Sequence, residues 1–280
     1  MAKLGHHRFS HFLGWLIAVF LVSVCPLAGN LKGQDFKIAS SIYTADSHLP
    51  VSENLTLFGD NLIFDFLLSN DLNPQVIEGV VFDPAKKQFV LLDYSRKVKA
   101  EVSDLQIIKL LDGLTKETLQ NEGSAFLVKD EFEEDLDEQL NQITLNSSNI
   151  TYRATGKRPE NYALLPKYYE FLDNFTKLTV SDPRKIPPFP RLKLNQALKR
   201  QNWLPTEVRV EMAANEFFRE PWNAYSKHNL ILGLSSKDRE MMQTAKNNWV
   251  QFRLVDLLEY RQINSGNPGG PHRRLAQQER

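Results

Sequence analysis

The stretch LTLFGDNLIFDFLLSNDLNPQVIEGVVFDPAKKQFVLLDYSRKVKAEV, residues 55–102, decides the fold. Short apolar segments (LTLF, LIFDFLL, VIEGVVF, QFVLLD, VKAEV) are separated by turn chemistry (GDN, SNDLNP, DPAKK, YSRK), which is the pattern of an antiparallel meander. Gly59-Asp60-Asn61 reads as a hairpin turn because Gly and Asn accept positive φ, and Asp83-Pro84 opens another turn. In the middle of the stretch, Val80-Val81-Phe82 and Phe89-Val90-Leu91-Leu92 are consecutive apolar residues. A strand with one wet face alternates, so these runs imply that both faces are covered, by a helix on one side and a second layer or a ligand on the other. Val98, Ala100 and Val102 return to alternation with Lys97, Lys99 and Glu101 outward, as an edge strand is written.

Working outward, FKIASSIY at 36–43 alternates in the same way and opens the sheet ahead of Val51–Phe58. Downstream, Ser103 or Asp104 caps a helix with Leu105, Ile108, Leu111 and Leu114 on one face. Strands are expected around AFLV, ITLN and NITYRAT between Phe126 and Tyr152. The acidic stretch Asp130–Glu138 between them reads as a solvated turn or helix face, because its carboxylates lack calcium-loop spacing. Pro159–Val180 reads as a helix with Leu164 or Leu165, Tyr168, Leu172 and Phe175 inward and Pro166 kinking or restarting it. Ile186-Pro-Pro-Phe-Pro190 is a stiff connector, with a sub-boundary near 183–191. A short helix at 192–200, a strand after Pro205 and a strand over Lys227–Leu234 follow. Ser235-Ser-Lys-Asp238 is a capping-box signature for the longest helix, expected from Ser236 to Arg261 with Met242, Ala245, Trp249, Phe252, Val255 and Leu258 on one face. The fold class expected is therefore α+β: a curved antiparallel sheet packed against several helices, including a long C-terminal amphipathic one. Residues 30–262 form one domain, and 263–280 a tail without periodicity.

Lys+Arg and Asp+Glu both number 34, so no net field steers the chain toward nucleic acid. The apolar run Phe12–Val24 follows Lys3 and Arg8 and falls short of the roughly twenty residues of a bilayer span, so residues 1–29 read as an export signal. Cleavage is expected after Gly29, with an uncleaved anchor as the alternative. The one cysteine, Cys25, lies at the end of that run, which leaves the mature chain without disulfides, zinc ribbons or a cysteine nucleophile. The protein is expected in the periplasm or outside the cell.

Candidate chemistry is sparse. His48, His228 and His272 are far apart and form no metal-binding pair, and there is no G-x-S-x-G, P-loop or G-x-G-x-x-G motif. No cofactor or metal is expected. Asp65, Asp83 and Asp93 each follow apolar strand residues and are the carboxylates to weigh for paired acid/base work. Turn hydrogen bonding is the stronger reading for Asp83 and Asp93, so no catalytic residue is assigned.

At YTADSHLPVSENLTLFGDNLIFDFLLSN (43–70), VVFDPAKKQFVLLDYSRKVKAEVSDL (80–105) and NWLPTEVRVEM (202–212), the chain resembles secreted bacterial proteins of uncharacterised function. More distantly, its order of strands and helices resembles the lipoprotein-carrier fold of periplasmic lipoprotein localisation proteins. That resemblance implies a curved sheet wrapped over helices with an apolar hollow between them, and a lipid or lipoprotein as partner. The function expected is a non-catalytic binding or carrier protein for an apolar ligand. Its contacts would come from the sheet residues Phe64, Phe66, Val81, Phe82, Phe89 and Leu91. A structural or interaction protein of the cell envelope with a fully packed core is the alternative, and a hydrolase the third reading.

Overall fold

A computed structural model of the chain describes residues 34–44, 47–182, 184–214 and 220–262. The expected export signal, Cys25, His272 and the segment from residue 263 lie outside the described residues. Those described belong to one compact unit. None of their helices is long and apolar enough to cross a membrane.

The first half of the sheet is the expected meander: β1 (Phe36–Thr44), β2 (Ser52–Phe58), β3 (Ile63–Leu68), β4 (Val76–Asp83), β5 (Gln88–Asp93) and β6 (Val98–Ser103). Its turns use the chemistry read from sequence, with one exception. Asp83 accepts from the Lys86 amide at 3.1 Å, and Asp93 accepts from the Arg96 amide at 2.8 Å and the Ser95 hydroxyl at 2.7 Å. Positive φ, however, falls at Lys87 (48°) and Lys97 (54°), and at neither Gly59 nor Asn61. A Cβ at Gly59 would come within 2.5 Å of Met242 Cε, the end of a flexible side chain that can swing aside.

After β6 come α1 (Asp104–Gln120), the single turn α2 (Phe126–Lys129), β7 (Glu133–Asp137), β8 (Gln142–Asn146) and β9 (Ile150–Lys157). A 3-10 turn at Tyr162–Leu164 leads into α3 (Leu165–Leu178), with Pro166 restarting the helix in its first turn, where a missing amide costs nothing. Then follow α4 (Phe189–Gln201), β10 (Leu204–Met212), β11 (Trp222–Leu232), α5 (Ser236–Gln251), β12 (Arg253–Leu254) and α6 (Leu257–Arg261). The twelve strands form one open, curled sheet in the order β12-β6-β5-β4-β3-β2-β1-β11-β10-β9-β8-β7. Every neighbouring pair is antiparallel except β12 with β6.

Several local expectations give way to tertiary context. Phe126–Lys129 is helical, and the acidic stretch contributes β7, where like charges suit an edge that must not recruit another chain. In α1 the inward face runs through Ile107, Leu111, Leu114 and Thr118, while Leu105 and Ile108 point outward. Of the two caps read, Ser103 is the one used, and it forms a capping box with Gln106. The helix opened by Ser235 ends at Gln251, so α1, at 17 residues, is the longer one. Phe252 turns the chain extended, and Arg253–Leu254 pair in parallel with β6, which is therefore not the outermost strand. The expected apolar stripe divides there: Met242, Ala245, Trp249 and Phe252 belong to α5 and its cap, Val255 joins the opposite core, and Leu258 is exposed.

The consecutive apolar runs are explained by two covered faces. Val81, Val90 and Leu92 point to one side with Leu57, Phe64 and Phe66, beneath Met242 and Ala245 of α5. Val80, Phe82, Phe89 and Leu91 point to the other, where Phe82 stacks on Phe89 at 4.5 Å and Phe171 of α3 meets Phe58 edge-on at 5.6 Å. Each fully buried Phe contributes about 1.5–3 kcal/mol, so the two layers hold the sheet from both sides.

Candidate functional site

The packing between the sheet and α3 is not uniform. On β1 the residues facing α3 are Phe36, Ile38, Ser40 and Ile42, and their partners on β2 are Phe58, Thr56, Asn54 and Ser52. At one end Phe36 and Phe58 stack at 4.1 Å and fill the space. Toward the other end the β2 side chains beneath α3 shorten to Thr56, Asn54 and Ser52. A cavity of about 580 Å³, partly open to solvent, remains between the sheet and α3. That volume lies within the roughly 300–1,000 Å³ of small-molecule sites. Its floor comes from β1–β4 and β9–β11, and its roof from Tyr168, Phe171, Leu172 and Phe175 of α3. Ile186, Pro187 and Pro188 of the connector, Arg191 of α4 and Arg261 of α6 complete the wall.

Of the polar residues in its lining, Asp65, His228 and Arg191 bear most on its chemistry. Asp65 of β3 is buried and accepts from Thr56 Oγ1 at 2.7 Å and Asn54 Nδ2 at 3.1 Å. Burial raises its pKa above the ordinary carboxylate value, and the two hydrogen bonds offset only part of that. His228 of β11 lies directly across from Ser40 of β1, with Ser40 Oγ 2.8 Å from Nδ1 and Ser226 Oγ 2.9 Å from Nε2. Burial, and then the positive charge of Arg191, push its pKa down to about 3, so the imidazole is neutral at physiological pH. The third group is Arg191, whose Nε donates to Asn195 Oδ1 at 3.0 Å.

A serine bonded to a histidine invites comparison with acyl transfer, but the second ring nitrogen meets Ser226 where a triad needs a carboxylate. A general base must also become imidazolium, which burial and Arg191 both oppose. Asp93 is remote from this group; it binds Arg96 Nε at 2.6 Å in the β5–β6 turn. His48 sits in an exposed loop. Asp65, Asp83 and Asp93 are therefore not gathered into one site. Among the described residues no cluster of three or more His, Cys, Asp or Glu side chains is arranged to hold a metal ion.

The six sheet residues expected to contact a ligand are divided between the two faces. Phe64, Phe66 and Val81 pack beneath α5, and Phe82, Phe89 and Leu91 pack in the core on the other side. All six are at most 1% exposed and none lines the cavity. Adjacent strand residues point to opposite faces, so an apolar run marks cladding on both sides and says nothing about vacant space. The cavity residues that sequence reading passed over are Ser40, Asn54, Thr56, Tyr152 and Arg191, together with the cavity-facing roles of Asp65 and His228. One signal was available: in FKIASSIY, Ser40 falls between Ile38 and Ile42 on the inward face. A small polar residue there marks a place where the core is incomplete.

No protein-family model matches the chain, and no curated protein matches it. Among solved structures it is similar to a LolA superfamily protein from Nitrosomonas europaea, at 9% identity over 73% of this chain and 88% of that one, with a TM-score of 0.30.

Proposed function

We propose that this protein binds an apolar ligand, a lipid or an acyl chain, in the cavity between the sheet and α3, and acts as a carrier or binding module. The observation that supports this is the cavity itself, about 580 Å³ and walled by Phe58, Val80, Phe171, Leu172, Phe175 and Val210. A core built for stability alone closes such space, because unfilled apolar volume costs about 24 cal/mol per Å³. Export, read from residues 1–29, would put the binding in the periplasm or outside the cell.

Each methylene moved from water into the cavity contributes about 0.8 kcal/mol, so affinity should rise with chain length until the cavity is full. The test is titration of the purified, delipidated protein with the neutral apolar dye N-phenyl-1-naphthylamine, together with mass spectrometry of solvent extracts. Saturable one-site binding, lost in Val210→Trp, supports the reading. No dye binding and no copurifying lipid would sink it and leave an envelope protein with a purely structural cavity.

A further inference from the structure

Most of the cavity wall is apolar, but the part around Arg191 is built differently. Arg191 is the third residue of α4, and Asn195 one turn on receives its Nε–H. Asn195 is 1% exposed and is itself fixed by donating to Asp173 Oδ1 at 3.1 Å and Thr176 Oγ1 at 3.2 Å. The guanidinium is thereby held by one nitrogen. Its two terminal amino groups, four further N–H donors, have no hydrogen-bond partner among the described residues. No carboxylate among them lies within ion-pair distance either; Asp173 of the same network accepts from Asn195.

Two phenols share this wall. Tyr152 of β9 and Tyr168 of α3 line the cavity, each 6% exposed, and neither hydroxyl has a hydrogen-bond partner among the described residues. Buried tyrosines usually find one, as Tyr169 does at the Trp203 carbonyl. Burial raises the pKa of both phenols and the charge of Arg191 offsets part of that, while burial and then Arg191 lower that of His228. Arg191, Tyr152, Tyr168 and His228 all line the same cavity. Of the carboxylates lining the cavity, Asp65 accepts from Thr56 and Asn54, Asp182 pairs with Arg184 and Arg261, and none of Asp65, Glu78 and Asp182 forms an ion pair with Arg191.

The half-buried guanidinium of Arg191 offers unpaired donors at the wall of an apolar hollow, and its fork matches the two oxygens of a carboxylate. We propose that the ligand is a single-chain amphiphile with a carboxylate head, of the long-chain fatty acid class, and that Arg191 binds the head with Tyr152 and Tyr168 as additional donors. This rests on the apolar-ligand reading above and specifies the end of the molecule that reading leaves open. The chain then lies along Phe175, Phe171 and Phe58, away from the polar wall.

The experiment compares palmitate with hexadecanol, which has the same chain and a neutral head, by dye displacement from the full protein. Palmitate should bind roughly tenfold or more tightly than hexadecanol, as expected for charge-assisted hydrogen bonds. Arg191→Gln should weaken palmitate by roughly 10- to 100-fold and leave hexadecanol within about threefold. Tyr152→Phe/Tyr168→Phe, which keeps the ring packing, should weaken palmitate selectively as well, and thermal unfolding verifies that each variant is folded. Equal affinity for the two ligands, or a folded Arg191→Gln that binds palmitate as the wild type does, overturns the carboxylate assignment and leaves the apolar-ligand reading standing. Failure of both ligands to displace the dye removes the carboxylate assignment together with that reading.

Discussion

Ser40 Oγ and His228 Nδ1 lie 2.8 Å apart across the β1–β11 seam, joining residues 188 positions apart in the chain. The seam runs in unbroken register from Phe36 opposite Leu232 to Thr44 opposite Ala224, and it brings the N-terminal meander against the C-terminal strands. The histidine at its centre is kept neutral by burial and by Arg191.

That neutrality predicts an acid-sensitive fold. His228 falls from an ordinary 6.5 to about 3 in the folded state. Between those values the unfolded chain binds the proton and the folded one does not. Its contribution is fully present above the unfolded value and is lost as pH falls from 6.5 toward about 3. His228→Gln should flatten this limb. Urea midpoints measured from neutral pH down to about 4 check it: parallel pH profiles for variant and wild type would refute the assignment.

Asp65 carries the opposite sign. Its pKa is raised above 3.8, so the folded state holds its proton more tightly, and stability present below 3.8 is lost as pH rises through the raised value. Asp65→Asn keeps an oxygen to accept from Thr56 and removes the buried charge. It should be more stable than wild type at neutral pH by about 1 kcal/mol, with the gap closing in acid. A variant less stable at neutral pH than in acid, relative to wild type, would contradict this.

Asp238 does two jobs at once. It closes the α5 capping box with Ser235 and accepts from Lys37 Nζ of β1 at 2.8 Å, tying the helix to the sheet. Desolvation raises its pKa, but the hydrogen bonds from Lys37 and Ser235 outweigh it and hold the value below 3.8. The stabilisation is present above 3.8 and is lost as pH falls through the folded value. Asp238→Ala should cost about 1–3 kcal/mol at neutral pH and much less in strong acid, read by thermal or urea unfolding at both ends.

Two glycines should respond in opposite directions. A Cβ at Gly156 of β9 would sit 2.8 Å from Trp203 Cβ and 3.2 Å from the Leu204 carbonyl oxygen, at the β9–β10 pair. Gly156→Ala should therefore destabilise by about 1–3 kcal/mol. Gly113 of α1 has open space around it, so Gly113→Ala should stabilise by about 0.5–1 kcal/mol through helix propensity. Melting temperatures moving in the same direction for both would contradict this account.

The sequence by itself determined the six-stranded meander, a helix cap at Ser103 or Asp104, the capping box at Ser235, the turn roles of Asp83 and Asp93, and the cladding of both sheet faces around Val80–Phe82 and Phe89–Leu92. These are local properties: alternation, turn chemistry and caps are written within a few residues of where they act. Only the tertiary structure decided that β11 lies between β1 and β10, that α1 turns Ile107 inward rather than Ile108, and that an acidic run forms the edge strand β7. Alternation marks which side of a strand is buried without naming its neighbour, and a helical stripe tolerates a rotation of one residue. The cavity was the least legible feature, because it is a mismatch between two surfaces distant in the chain. Its floor shrinks along Phe36, Ile38 and Ser40, its roof is set by α3, and Arg191 reaches its wall from a third element.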